Sequence, residues 1–391
     1  MAFTDKALQT EFLNTCARLR EGRLTLRTPD GARYSFGETG PEAEMQINDW
    51  AAVSAMAAHG QTGLGEAYVQ GLWDTPSVEG LMQLAMRNRD HLDSYDQASP
   101  LNRAKFRIVD TLLRANSKRG ARKNIRAHYD VGNEFYQLWL DDGMTYSSGL
   151  FGAEGDDLAQ AQTRKNDRIL SRLGDGERVL EIGCGWGGFA EFAAREIGCK
   201  VTGITISNEQ LVFAQNRIAM AGLSDKVDFR FCDYRELEEQ FDRIVSIEMF
   251  EAVGESYWPT YFEQVHNCLK PGGKAGLQII TISEQRFESY RKKTDFIQRY
   301  IFPGGMLPSP ERLDREFASA DLSLLAREDF AHDYARTLEE WRHRFLDVWP
   351  EVKALGFDER FRNMWEYYLA YCEAGFSTGS IDVSHFTVTR D

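Results

Sequence analysis

The chain has 391 residues, a formal net charge of −14, 42% hydrophobic residues and 12% aromatics. Such a length allows two or three domains with ample core, and this composition excludes a disordered or low-complexity chain. The acidic balance argues against nucleic-acid binding, no apolar run approaches the roughly 18 residues that span a bilayer, and the six dispersed cysteines form no C-x-x-C pair, so neither a metal site nor a disulfide framework is expected.

The opening stretch "MAFTDKALQTEFLNTCARLREG" has no signal-peptide core, so cytoplasmic residence is the expectation. "RLTLRTPDGARYSFG" predicts two short alternating strands around Pro29-Asp30-Gly31, a hairpin signal. A helical run with glycine breaks follows, and residues 1–98 read as a small α+β domain. From Leu101 to Arg126 the chain carries nine Lys/Arg and one acid, Asp110, and residues 99–125 read as a basic linker. A basic amphipathic segment in an acidic protein suits an anionic surface, phospholipid headgroups foremost. A solvated linker helix is the competing reading. "HYDVGNEFYQLWLDDGMTYSSGLF" is too aromatic for a linker and reads as a pocket wall, with His128 and Asp130 positioning its entry.

From about residue 160 strands alternate with helices. "AQAQTRKNDRILSRL" is a helix, "RVLEIG" a strand, "GGFAEFAAREIG" a helix and "KVTGITI" a strand. "SNEQLVFAQNRIAMAGL" is a helix with Ser207 as its N-cap. "KVDFRFCD" and "FDRIVSIEMF" are strands, "YWPTYFEQVHNCLKPGG" a helix ended by Pro-Gly, and "KAGLQIITIS" a further strand. This alternation gives a doubly wound parallel sheet, with ligands outside the carboxyl ends of its strands.

"VLEIGCGWGGF" breaks from strand to helix through glycines. Gly183, Gly185 and Gly188 fit the dinucleotide spacing, while Gly183, Gly185 and Gly187 fit the loop of S-adenosylmethionine (SAM) enzymes. A dinucleotide site puts an acid at the end of the next strand for the ribose. Here that end reads Gly203-Ile204-Thr205-Ile206-Ser207, without a carboxylate, and the acid is Glu181, two residues before Gly183. This arrangement favours SAM over a dinucleotide.

"VLEIGCGWGGFA", "VTGITISNEQ", "FDRIVSIEMFEAVG", "YFEQVHNCLKPGG" and "YIFPGGMLPS", with the aromatic segment before them, resemble the cyclopropane-fatty-acid synthase family of SAM-dependent methyltransferases over residues 120–391. The amino-terminal domain resembles the lipid-binding domain of longer bacterial members. The resemblance implies a catalytic domain over 126–391 built on a doubly wound, mostly parallel seven-stranded sheet of the class I SAM methyltransferase type. It implies that SAM is held by Tyr146, Ser147, Glu181, Gly183, Gly185, Gly187, Thr205, Ile206, Gln210, Asp233 and Tyr234. It implies methylation of the double bond of unsaturated phospholipid acyl chains through a carbocation. The expected setting is peripheral, at the anionic inner face of the membrane, with a homodimer as the inclined assembly.

The family holds a bicarbonate ion as proton acceptor, and the matching positions are Glu251, Tyr334, Ile280, Gln278 and Ser148. Two of these depart from the family pattern. Gln278 stands where it has His, and Ser148 where it has Cys. A neutral amide grips an anion less strongly than a charged donor does. Bicarbonate is therefore in doubt, and both a cyclopropane and a branched, methylene or otherwise processed open-chain product stay open. Glu248, within the strand before Glu251, is an acid in unusual company, and Cys372 matches a family Cys but suits a core helix equally. A lipid-binding protein without catalysis, or methylation of a soluble small molecule, are the remaining alternatives.

Overall fold

The computed structural model describes residues 2–92, 131–152 and 155–391. The basic stretch 101–126, His128 and Asp130 lie outside the described residues. Two compact units account for the chain. One is Met1–Val131 with Thr294–Ile301 and Leu346–Thr378; the other is Gly132–Lys293, Phe302–Phe345 and Gly379–Asp391. The unit boundaries thus differ from the consecutive stretches 1–98, 99–125 and 126–391, because two later segments complete the core of the first unit.

In the first unit, strands β1 (Arg23–Arg27) and β2 (Arg33–Gly37) form the expected hairpin, with Arg27 opposite Arg33 and Gly31 at φ 84° in its turn. Strand β3 (Glu42–Ile47) runs parallel to β1, and β4 (Trp73–Asp74) completes the order β2-β1-β3-β4. Alternation decides the buried face: Ala43, Met45 and Ile47 point inward, Glu42, Glu44 and Gln46 outward. The late helix Glu359–Ser377 buries Phe361, Trp365 and Leu369 in this unit. Its Tyr367 ring lies 5.9 Å from Tyr68 and 4.7 Å from Phe296. Gly65 permits that approach, since a Cβ there would stand 2.5 Å from Phe296 Cδ2. Glu66 accepts from His59 Nδ1 (2.9 Å) and from the Tyr300 hydroxyl, which fastens the 294–301 segment to the unit. The rings of Trp365, Tyr367 and Tyr368 are spent on this core, and Cys372 belongs to the same helix.

The second unit is built on β5 (Arg178–Ile182), β6 (Lys200–Thr205), β7 (Val227–Phe231), β8 (Phe241–Ile247), β9 (Leu269–Ile282), β10 (Leu322–Asp329) and β11 (Ile381–Arg390). Their order is β10-β11-β9-β8-β5-β6-β7. The run from β9 to β7 is parallel, and β11 is antiparallel to both β9 and β10. This is the expected mostly parallel seven-stranded sheet. Its faces feed two cores. Leu180, Ile182 and Ile244 pack with Trp258, Phe262 and Leu313 on one side. Val179, Val201 and Val245 pack with Ile169, Ala190 and Ile218 on the other.

Three local expectations need correction. Pro271-Gly272-Gly273, read as a helix end, lies inside β9, where the pairing with β8 shifts register between Phe241 and Arg243. The helix after the glycine loop splits into Gly188–Phe192 and a π-helical turn Ala193–Ile197. Strand β8 stops at Ile247, so Glu248 lies just past it, at φ +49° rather than in extended backbone.

Candidate active site

The strand order reverses between β5 and β8, since β6 follows on one side of β5 and β8 lies on the other. A crevice opens at such a switch point, at the carboxyl ends of the strands. The chain places its glycine loop after β5, its Thr205 turn after β6 and its two acids after β8.

The loop is shaped by backbone handedness. Gly183, Gly185 and Gly187 have φ of 83°, 49° and 83°, a region L side chains rarely adopt. Gly183 and Cys184 donate their amides to Ile204 O at 3.1 and 2.9 Å, which ties the loop to β6. A Cβ on Gly185 would meet none of the described residues within 4 Å, which leaves them clear of the space beside its backbone where a ligand would approach. Gly188, the third glycine of the dinucleotide spacing, instead admits a neighbouring loop: its Cβ would stand 2.6 Å from Gly143 O.

Around this loop the expected cofactor residues share one end of the sheet. Thr205 Oγ1 donates to Gln210 Oε1 (3.0 Å) and accepts from Ser207 N (3.1 Å), and Ser207 caps the next helix as expected. Ile206 is 71% exposed, an apolar side chain presented at the turn. Asp233 accepts from Arg235 N, Nε and Nη2, which holds its carboxyl below the usual range, and Tyr234 packs edge-on against Tyr261 at 5.4 Å. Tyr146 stands among Tyr136, Trp139 and Trp341, with centroids 5.2, 5.8 and 5.2 Å away. Glu181 is buried, and its Oε2 has no hydrogen-bond partner among the described residues. An orphaned acceptor two residues before the glycine loop fits a ligand bearing hydroxyl donors, as the ribose of SAM does.

Lys165, on the helix Leu158–Arg172, is the site's buried cation, and sequence reasoning missed it. Its Nζ donates to Ser147 Oγ at 2.8 Å, and it lies in the field of Glu248, Asp141 and Glu181. Burial still draws its pKa down, to about 8. Ser147 thus serves the lysine with its hydroxyl and Gln162 Nε2 (2.8 Å) with its carbonyl.

The five positions matched to an anion divide between two carboxylates. Glu251 Oε1 accepts from Ile280 N at 2.6 Å, while its Oε2 is shut from solvent without a hydrogen-bond partner among the described residues. The "YIFPGGMLPS" loop supports the backbone here, with Met306 N donating to Glu251 O at 2.9 Å. The other three positions converge on Glu248. Its Oε1 accepts from Ser148 N (2.9 Å) and Gln278 Nε2 (2.7 Å), and its Oε2 accepts from Tyr334 OH (2.5 Å). Ser148 contributes its amide only, because its hydroxyl turns to Gly149 O.

Desolvation pushes both carboxyls up. For Glu248 the three donors and Lys165 oppose the shift. Glu251 has one backbone amide and a like charge beside it, and rises to about 8. Glu248, with three donors and Lys165 against its burial, therefore loses its proton more readily than Glu251, which has only backbone amide support. Sequence reasoning put Glu251 first and singled out Glu248 as an unusual acid without giving it a catalytic place. The available signal was an acid between Ile247 and Met249, at the end of a strand that is otherwise apolar.

The family described as mycolic acid cyclopropane synthetase matches residues 116–386. A tuberculostearic acid methyltransferase of Mycobacterium tuberculosis is 38% identical over 85% of this chain and 80% of its own length. The cyclopropane-fatty-acyl-phospholipid synthase of Escherichia coli K12 is 37% identical over 85% and 84%. A probable fatty acid methyltransferase of Pseudomonas putida is 34% identical over 94% and 92%. Among solved structures, a mycolic acid cyclopropane synthase complexed with SAH and CTAB superposes with TM-score 0.63 at 29% identity, covering 68% of this chain and 97% of that one.

Proposed function

The chain belongs to the mycolic acid cyclopropane synthetase family and is a SAM-dependent fatty-acyl methyltransferase, and from that premise we propose that it methylates the double bond of an unsaturated phospholipid acyl chain to an open-chain, ring-free product. The observation that carries this reading is the pairing of the SAM cradle with two carboxylates at one switch point, where a cation made by alkylating an alkene needs stabilisation.

When bound, SAM supplies an electrophilic methyl on a sulfonium. The residues of the chain do the rest. The glycine loop, Thr205 and Glu181 orient the donor. Rings of Tyr146, Trp139 and Trp341 screen the site from water and offer faces to positive charge. The Glu248 carboxylate sets a negative potential beside the alkene carbons. The Gln278 departure supports an open-chain outcome, and the names of the Mycobacterium tuberculosis and Pseudomonas putida relatives agree with methyl transfer to a fatty acid. Peripheral docking on anionic membrane is part of this proposal, supported by the charge of residues 101–126. No helix among the described residues is long and apolar enough to cross a membrane.

The test is to incubate the purified chain with SAM and vesicles of monounsaturated phospholipid, then analyse the acyl chains by mass spectrometry and NMR. A gain of one CH2 with a retained alkene signal supports the reading. Cyclopropane protons would leave the methyltransferase and remove the open-chain assignment. No mass gain would remove the substrate.

A further inference from the structure

The residues that the resemblance assigns to bicarbonate do not fit a free anion, because a side chain of this chain already takes their hydrogen bonds. Ser148 N, Gln278 Nε2 and Tyr334 OH all donate to Glu248. A bicarbonate there would have to displace a carboxylate from three donors and then sit beside its charge. Glu248 reaches this place because its backbone turns left-handed just after β8, a conformation that strains a non-glycine residue. Its amide also bonds across to Gln278 O at 2.9 Å, which pins the turn to β9.

Gln278 is oriented in turn. It is fully buried, and directly across the sheet its register partner is His385, 3% exposed. His385 Nε2 lies 2.9 Å from Gln278 Oε1. The amide nitrogen faces two acceptors, Glu248 Oε1 and, at 3.4 Å, Ser148 O. The carbonyl therefore faces His385, whose Nε2 carries the proton. Burial and the neighbouring Lys165, Arg172 and Arg168 push the His385 pKa down to about 3, so the ring stays neutral. Glu328 faces its Nδ1 at 4.0 Å and is paired with Arg168 and Arg172.

We propose that Glu248 is the proton acceptor built into this chain in place of bicarbonate, and that His385 is a positioning residue that holds Gln278 with its amide nitrogen on Glu248. The inference rests on the methyl-transfer reading above. The alkene π pair forms the bond to the methyl carbon, and the carbon–sulfur bond breaks with its pair remaining on sulfur. A C–H bond next to the cationic carbon then breaks. Its pair becomes the new C=C bond, and the proton passes to a Glu248 oxygen. No further reactant is needed.

The experiment measures methyl transfer to monounsaturated phospholipid vesicles in bicarbonate-free buffer and with bicarbonate added. Wild type should be indifferent. Glu248→Gln should lose about 10²–10³ in kcat, the usual effect of removing one positioned group. Glu248→Gly should lose as much and recover in part with added bicarbonate or formate, while SAM binding by calorimetry shows the variant folded. His385→Leu should move the acid limb of the kcat–pH profile upward, because a carboxylate with a loosened donor protonates more readily, and His385→Gln should return it toward wild type. Groups whose charge bears on this limb are Lys165, Glu251 and Tyr334 around Glu248, and Arg168, Arg172 and Glu328 around His385. Bicarbonate dependence in the wild type, or a full rate for Glu248→Gln, would overturn the acceptor. An unmoved limb in His385→Leu, with only a lower melting temperature, would overturn the positioning role. Absence of any methyl transfer by wild type would instead sink the proposed function.

Discussion

The amide of Ser148 donates to Glu248 Oε1 at 2.9 Å, across 100 residues of chain. The contact is made by backbone, so the identity of the side chain at 148 matters little to it. Ser148→Ala keeps the amide and removes a hydroxyl bonded only to Gly149 O. It should cost about 1 kcal/mol of stability, and its kcat should exceed that of Glu248→Gln at least tenfold. Equal losses in a steady-state assay would show that the hydroxyl has a task of its own.

Glu251 offers a stability measurement with a definite sign. Its carboxyl holds a proton in the fold up to about 8, whereas the unfolded chain releases it near 4.5. Between these values the native state binds more protons. The stabilisation is therefore complete below 4.5 and is lost as pH rises toward 8. Glu251→Gln cannot ionise. In urea titrations the wild type should fall relative to this variant across pH 5–8, by up to about 1.4 kcal/mol per pH unit. Parallel curves would show that Glu251 is ionised in the fold.

Lys165 faces Glu248, Asp141 and Glu181 while fully buried. Lys165→Met fits the space but leaves the carboxylates uncompensated. Breaking a buried pair by removing one partner costs about 3–5 kcal/mol. Thermal unfolding should show a fall of that order at neutral pH, smaller in acid, where the carboxyls are protonated. A change below 1 kcal/mol, well short of about 3, would mean the field of Lys165 is screened.

Gly185 combines φ +49° with open space around its missing Cβ. Gly185→Val both strains the turn and fills the approach to the cofactor. SAM affinity by calorimetry should drop more than tenfold, about 1.4 kcal/mol. Undiminished SAM binding would move the cofactor away from this loop.

For the membrane, Lys118, Arg119, Arg122 and Lys123 supply four of the nine basic residues in 101–126. Changing all four to Gln should weaken co-sedimentation with anionic vesicles and flatten its salt dependence, at about 1 kcal/mol per charge. Unchanged co-sedimentation would make the segment a solvated linker.

The doubly wound sheet and the glycine loop after β5 are legible in the residues alone. Strand–helix alternation, the glycines at 183, 185 and 187 and the Ser207 cap are local signals, because handedness, capping and face periodicity act within a few residues. The motifs also single out Gln278, Tyr334, Ser148, Glu251 and Ile280, which the fold gathers around two neighbouring acids. What the sequence left open was which of them meet. In the folded chain Ile280 serves Glu251, while Ser148, Gln278 and Tyr334 serve Glu248. The pairing of Gln278 with His385 joins β9 to β11 across 107 residues, and no periodicity announces it. The same holds for the segments 294–301 and 346–378, whose apolar faces complete the first unit. Hydrogen bonds and desolvation depend on what the fold brings within a few ångströms, so the charge state and the role of each acid are properties of the assembled site.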